Sequence, residues 1–200
     1  MWHIISNPIV KKSLAVFLTG LVIKLTDDFI DREYDILLGK RNLADVLEAG
    51  ILPYVILIFS LACLLEPHTS ISLFFSSYII GMTTNYNAKM PSGLYGYQES
   101  VIIFFMGIFI FGYIEMISSL FTIAAIQFWD DYRDSREDVN SRKNLANLLG
   151  KVECILFSII CLLSALYLDP SKAIAAFFSA IFIVYITYLL LRTKEVSENS

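Results

Sequence analysis

Charge is scarce in this chain of 200 residues: Asp, Glu, Lys and Arg together make up 17%, against 56% apolar residues, and mean hydropathy is +0.65. So little charge excludes a disordered chain and almost any water-soluble globule. Basic residues are the scarcer sign, 15 against 19 acids, and a net charge of −4 offers no polyanion-binding surface, so nucleic acid is not an expected partner. Cysteine is rare as well. Cys63, Cys154 and Cys161 lie inside apolar runs without metal-ligand spacing and read as small hydrophobes, which leaves no disulfide framework. The N-terminus lacks a basic start followed by a small-residue cleavage site, so no cleavable signal peptide is expected. What the chain has in quantity is long uncharged sequence, and it reads as an integral membrane protein whose first partner is the lipid bilayer.

Residues 49–65, 67–88 and 173–191 contain no charge, and 154–171 contain only Asp169, near the end of the stretch. As helices, each crosses or nearly crosses about 30 Å of hydrocarbon. Residues 100–129 are interrupted only by Glu115. One helix there would be about 45 Å long at 1.5 Å per residue, too long for a single crossing. Two shorter helices turning near Gly112–Glu115 fit better. A further span over about 13–30 has eleven uncharged residues between Lys12 and Lys24. The expectation is an all-α integral membrane bundle of about seven transmembrane helices. It forms one domain over residues 1–200, with half-repeats at about 13–99 and 100–191 and an unstructured tail over 192–200.

In that arrangement segments 24–50, 86–99, 130–151 and the tail from Arg192 fall on one side and hold twelve of the fifteen Lys and Arg. Lys11, Lys12 and Lys172 fall on the other. The excess of cations on cytoplasmic loops places those segments in the cytoplasm and the N-terminus outside. A single long helix at 100–129 would split segments 24–50 and 130–151 between opposite faces, against the charge count.

Chemically, the acids are the feature that stands out. Asp27-Asp28-Phe29-Ile30-Asp31-Arg32-Glu33-Tyr34-Asp35 closes the first span, and Asp130-Asp131-Tyr132-Arg133-Asp134-Ser135-Arg136-Glu137-Asp138 closes the fifth; both read D-D-x-x-D-x-x-x-D. Each is followed by a matching stretch, Lys40-Arg41-Asn42-Leu43-Ala44-Asp45-Val46-Leu47 and Arg142-Lys143-Asn144-Leu145-Ala146-Asn147-Leu148-Leu149. The offset is 103 in the acidic part (27 to 130) and 102 in the second (40 to 142), which indicates an internal duplication. On a helix, positions i, i+3 and i+7 share a face, so Asp28, Asp31 and Asp35 align, as do Asp131, Asp134 and Asp138. Stacked carboxylates at a membrane boundary are costly unless a cation neutralises them. Oxygen-only donors without His or Cys nearby favour Mg²⁺ over zinc or copper. Two such clusters facing each other would hold a diphosphate between two metal ions. A single run reads equally well as solvated loop charge; two with identical spacing on one side do so far less well. The glycine and alternate-residue pattern of an EF-hand calcium loop is absent.

These motifs resemble those of the UbiA superfamily of membrane prenyltransferases. Asp27 to Asp35 is similar to the family's N-D-x-x-D-x-x-x-D, with Asp27 in place of the Asn. Asp134 and Asp138 fit its second motif, D-x-x-x-D, and Ser141-Arg142-Lys143-Asn144-Leu145-Ala146-Asn147-Leu148-Leu149-Gly150 resembles the stretch that trails it. Tyr86-Asn87-Ala88-Lys89-Met90-Pro91 is similar to the Tyr and Lys of a third cytoplasmic loop, although Lys89 follows Tyr86 by three positions where many members have four. The resemblance spans roughly residues 14 to 190. It implies a bundle around a central cavity, here without the family's first and last helices, which reads as a compact subgroup, as a chain that works with a partner subunit or a second copy of itself, or as a degenerate or truncated copy.

The resemblance implies a Mg²⁺-dependent transfer of an isoprenyl group from an allylic diphosphate to an aromatic or other lipophilic acceptor, with two ions bridging the diphosphate. The implied metal ligands are Asp27, Asp28, Asp31, Asp35, Asp131, Asp134 and Asp138. Lys89 is implied as a diphosphate partner, with Arg142 and Lys143 beside it, and Tyr86 steadies the donor or the cation through its ring face. Asp31, Asp134, Lys89 and Tyr86 are the implied catalytic residues. A membrane terpene cyclase acting on the diphosphate alone is the alternative, hinted at by the D-D-x-x-D that Asp27 creates. A divalent-cation transporter or structural membrane protein is a third reading, but it predicts polar groups deep in the spans rather than at their ends. Phe104, Phe105, Phe109 and Phe111 read as packing residues rather than cation-stacking ones. His3 and His68 lie on the side away from the acids and are poor general bases. Lys24 either pairs with the acids or snorkels to the interface. Glu115 reads as structural, and Trp2 and Trp129 as interfacial anchors.

Overall fold

The computed structural model describes residues 7–37, 42–82, 86–134 and 145–198. Among these, all regular structure is helical, apart from one isolated bridge between Lys89 and Tyr95. Seven longer helices occur among the described residues: α1 (Pro8–Ile30), α4 (Ile51–Leu65), α5 (Pro67–Gly81), α6 (Gly96–Phe111), α7 (Tyr113–Asp134), α9 (Lys151–Leu168) and α10 (Pro170–Glu198). Three short ones lie between them: α2 (Arg32–Leu37), α3 (Leu43–Leu47) and α8 (Leu145–Leu149). Three segments, Leu43–Leu65, Lys151–Leu168 and Pro170–Thr193, are long and apolar enough to cross a membrane.

Local sequence explains the boundaries. Asn7 caps α1 by accepting the Ile9 N–H at 2.9 Å, with Pro8 in the first helical position, where its missing N–H costs nothing. The apolar run over 100–129 divides as expected: Gly112 takes φ +88, which closes α6 and lets α7 begin one residue later. Within the uncharged run over 67–88, α5 covers Pro67–Gly81, and Tyr86 lies in a turn. Asn87, Pro91, Ser92 and Gly93 favour turns over helix there. At the other end of the chain α10 runs to Glu198, past Arg192, where the sequence expectation ends it.

The chain forms two compact units, residues 1–70 with 175–200, and residues 71–174. In the first, α4 packs on α1; in the second, α9 packs on α7. The same construction is used twice. Of the six residues that α1 buries, five (Ala15, Val16, Thr19, Val22 and Asp28) recur 103 positions later as buried Ser118, Ser119, Thr122, Ala125 and Asp131 of α7. The turns that leave α4 and α9 also correspond. Glu66 (φ −153°, ψ 86°) and Asp169 (φ −149°, ψ 86°) end their helices by donating N–H to Ala62 O and Ala165 O, and Pro67 and Pro170 open the next helices.

The distribution of side chains inverts that of a water-soluble protein. Large apolar residues lie outside, with Phe109 90% and Tyr167 88% exposed. Many buried positions are small or hydroxylic, including Thr19, Ser70, Ser72, Ser76, Ser118, Ser119 and Thr122, beside a few larger apolar ones such as Leu25, Ile51, Leu73 and Met116. Small residues let helix backbones approach closely where lipid supplies no hydrophobic drive between helices. In the second unit Lys172 is fully buried, and its Nζ donates to Glu115 Oε1 (2.7 Å), Glu115 O (3.1 Å) and Ser119 Oγ (2.9 Å). Glu115 is therefore structural, as its place at a turn suggests, but through an ion pair that the sequence does not announce.

Candidate functional site

The first acidic motif straddles a helix end. Asp27 and Asp28 lie in the last turn of α1, Asp31 is its C-cap, and Asp35 lies in α2. The expected single face of Asp28, Asp31 and Asp35 is interrupted, because Asp31 leaves helical geometry (φ −87°, ψ 1°) and Asp28 turns inward. Only 5% exposed, Asp28 pairs through Oδ1 with Lys24 Nζ at 2.9 Å and accepts the Leu43 N–H through Oδ2 at 2.9 Å. Lys24 thus pairs with the acids, half-exposed as it is. The carboxylate of Asp28 holds the first turn of α3, a place where a helix has unsatisfied N–H groups and a positive end.

Asn42 completes this arrangement. Its Nδ2 donates to Asp28 O (3.1 Å) and to Asp35 Oδ2 (2.8 Å), while its Oδ1 accepts the Ala44 N–H (3.0 Å). Asp45 returns a bond to the Asn42 N–H and also pairs with Arg32 Nε at 3.3 Å. Sequence reasoning missed Asn42 as a site residue. Its signal was present in Asn42-Leu43-Ala44-Asp45, a capping box with Asp at the third helical position, and in the recurrence of Asn-Leu-Ala at Asn144.

The second motif repeats the central part. Asp131 is 8% exposed and accepts the Leu145 N–H through Oδ2 at 3.2 Å, so it holds the start of α8 as Asp28 holds α3. Its Oδ1 accepts from Gln127 Nε2 at 3.2 Å, and Gln127 stands where Lys24 stands in the first motif. Arg133 pairs instead with the outer acids, Nη2 to Asp130 Oδ1 at 2.7 Å and Nε to Asp134 Oδ1 at 3.1 Å. Burial pushes the Asp131 carboxyl up to about 6, and Asp130 and Asp134 push the same way; the bonds from Leu145 and Gln127 oppose the shift without cancelling it. Asp138, Arg142 and Lys143 lie outside the described residues.

Tyr86 and Lys89 sit on a folded loop between α5 and α6. Tyr97 N–H donates to Tyr86 O (3.2 Å), Gly96 N–H to Ala88 O (3.1 Å) and Met90 N–H to Leu94 O (2.8 Å), with Gly93 at φ +87 turning the tip. The rings of Tyr86 and Tyr97 lie 5.2 Å apart and those of Tyr95 and Tyr97 stack at 5.9 Å. Tyr86 and Lys89 are both exposed. Among the described residues Lys89 makes no ion pair, so its ammonium is available to an anion.

Among the described residues no three His, Cys, Asp or Glu side chains converge as a metal-binding group. The reason in the first motif is visible: the innermost acid is committed to capping. The donor chemistry nevertheless fits Mg²⁺. Asp27, Asp31 and Asp35, and Asp130 and Asp134, are carboxylates at or near the surface with no soft ligand among them. No protein-family model, no curated protein and no solved structure matches the chain.

Proposed function

We propose that this chain is a membrane-embedded, Mg²⁺-dependent prenyltransferase of the UbiA type that moves an isoprenyl group from an allylic diphosphate to an aromatic or other lipophilic acceptor. The observation that carries this reading is the duplicated D-D-x-x-D-x-x-x-D motif, with its second acid wired in the same way in each copy. Two copies of a costly acidic arrangement, each fixed by a buried cap, are what a two-ion diphosphate site needs and what a solvated loop does not. The apolar exterior and the three helices able to cross a membrane support the lipid setting.

In this reading Asp27, Asp31 and Asp35 hold one ion and Asp134, with Asp138, the other. Bound Mg²⁺ supplies positive charge that neutralises the departing diphosphate. Asp28 and Asp131 hold the backbone from which those acids project. Lys89 adds a cation to the diphosphate, and Tyr86 offers a ring face to the isoprenyl chain. The C1–O bond of the donor breaks, the diphosphate leaves, and an electron-rich acceptor atom bonds to C1 and sheds its proton. Apolar helices keep water from the allylic cation. A cyclase on the same scaffold, favoured only by the D-D-x-x-D of Asp27 to Asp31, would capture the cation within the substrate instead.

The test is an assay of purified protein with a panel of allylic diphosphates and candidate acceptors, with and without Mg²⁺, following diphosphate release and the mass of extracted lipid. The expected result is Mg²⁺-dependent release that falls at least about a hundredfold in both Asp31→Ala and Asp134→Ala. A product whose mass is that of the donor-derived alcohol plus the acceptor less one water means transfer; a cyclic hydrocarbon from the donor alone replaces transfer with cyclisation. Release unaffected by either substitution overturns the paired site.

A further inference from the structure

The loop that carries Tyr86 and Lys89 is tied down by one carboxylate. Glu99 lies in the first turn of α6, directly after the loop. One of its oxygens, Oε2, accepts from the hydroxyl of Tyr78 on α5, and the other, Oε1, accepts from the hydroxyl of Ser92 at the loop tip. Ser92 Oγ in turn accepts the Leu94 N–H at 3.2 Å, which joins the clasp to the turn at Gly93. The base of the loop is closed separately, by the Tyr97 to Tyr86 backbone bond and the stacked tyrosine rings. Of these ties, only those through Glu99 join the tip to both flanking helices. Hydrogen bonds to an ionised carboxylate are the stronger kind, and two of them spanning three segments restrict the loop more than either alone.

We infer that Glu99 is a positioning residue: its carboxylate clasps the Tyr86–Tyr95 loop to α5 and α6 and so fixes where Lys89 and Tyr86 stand to meet a diphosphate. This rests on the function proposed above, in which Lys89 is the diphosphate partner. Glu99 itself touches no substrate. It restricts the loop before the ligand arrives, so that binding does not have to order it.

The experiment uses the full chain in detergent and two readouts. One is the rate of trypsin cleavage at the Lys89–Met90 bond, followed by mass spectrometry. The other is the Kd for inorganic diphosphate in the presence of Mg²⁺, measured by titration calorimetry. Glu99→Ala is expected to raise both by roughly tenfold. Tyr78→Phe and Ser92→Ala each remove one bond with little loss of packing and are expected to give about a two- to fourfold change in both. Glu99→Gln, which keeps an acceptor oxygen and gains an amide donor, is expected to recover most of the wild-type values. An unchanged cleavage rate in Glu99→Ala overturns the clasp. Faster cleavage with an unchanged Kd overturns the positioning role and leaves the proposed function standing. Wild-type protein that binds no diphosphate overturns that function, and the positioning role with it.

Discussion

Asp28 and Asp131 occupy equivalent places in two copies of one small construction, and they differ in what stands one turn before them. Each is the second acid of its motif, each is buried, and each accepts the first N–H of the short helix that follows. Lys24 faces Asp28, whereas Gln127 faces Asp131. A cap needs only an acceptor oxygen, so the geometry survives either neighbour. The electrostatics do not. In the first motif a cation balances the buried acid. In the second, among the described residues, Arg133 pairs with Asp130 and Asp134, and Gln127 donates an amide N–H to Asp131. At this one neighbouring position the duplication has kept the cap and exchanged a charged partner for a neutral one.

The largest effect that would break the comparison comes from deleting the caps. Asp28→Ala removes the acceptor of the Leu43 N–H and the Lys24–Asp28 ion pair, so a loss of about 2 kcal/mol is expected. Asp131→Ala gives up a longer bond to Leu145 but also removes a poorly solvated charge, and about 1 kcal/mol is expected. Unfolding of both variants in mixed detergent, against wild type, gives the order. Equal losses would mean that the neighbouring residue has no influence on the cap.

Much of this was legible in the sequence, and the rest was hidden for physical reasons. The D-D-x-x-D-x-x-x-D pair, the break at Gly112 and the match between the two trailing stretches follow from spacing and from glycine's freedom, which are local properties. The inward turn of Asp28 was not legible. Periodicity assumes a continuous helix, and the bond to Leu43, 15 residues away, competes successfully against it. Lys172 was hidden for the same reason. A lone lysine between spans reads as an external charge until a partner 57 residues away, Glu115, is brought against it. Nor did the match of Glu66-Pro67 with Asp169-Pro170 declare itself, because two residues carry little signal until their backbone angles coincide.

A smaller effect, linked to pH, should separate the two copies. Because the folded protein raises the Asp131 carboxyl from about 3.8 to about 6, the folded state holds that proton more tightly than the unfolded chain does. Stability contributed by the protonated form is therefore present below about pH 4 and is lost progressively as pH rises to about 6, with no further change above. Unfolding measured with a chelator present, so that no metal competes for the site, should show this decline on top of the chain's other titrations. In Asp131→Asn, which keeps an acceptor for Leu145 but cannot titrate, that component should vanish. A decline of the same size in the variant would assign it to another group.

The smallest change is also the most direct, because it exchanges the two neighbours. Gln127→Lys places an ammonium one turn before Asp131, as Lys24 stands before Asp28, and an opposite charge at that range favours the ionised carboxylate. The pH component should shrink towards that of Asp131→Asn, while stability at pH 7 rises by only a few tenths of a kcal/mol, since half-exposed pairs are weak. The reciprocal Lys24→Gln should cost a similar few tenths and leave the Leu43 bond in place. If instead Lys24→Gln costs as much as Asp28→Ala, then the lysine holds the carboxylate in its capping position, and the first copy is built on its ion pair where the second is built on its cap.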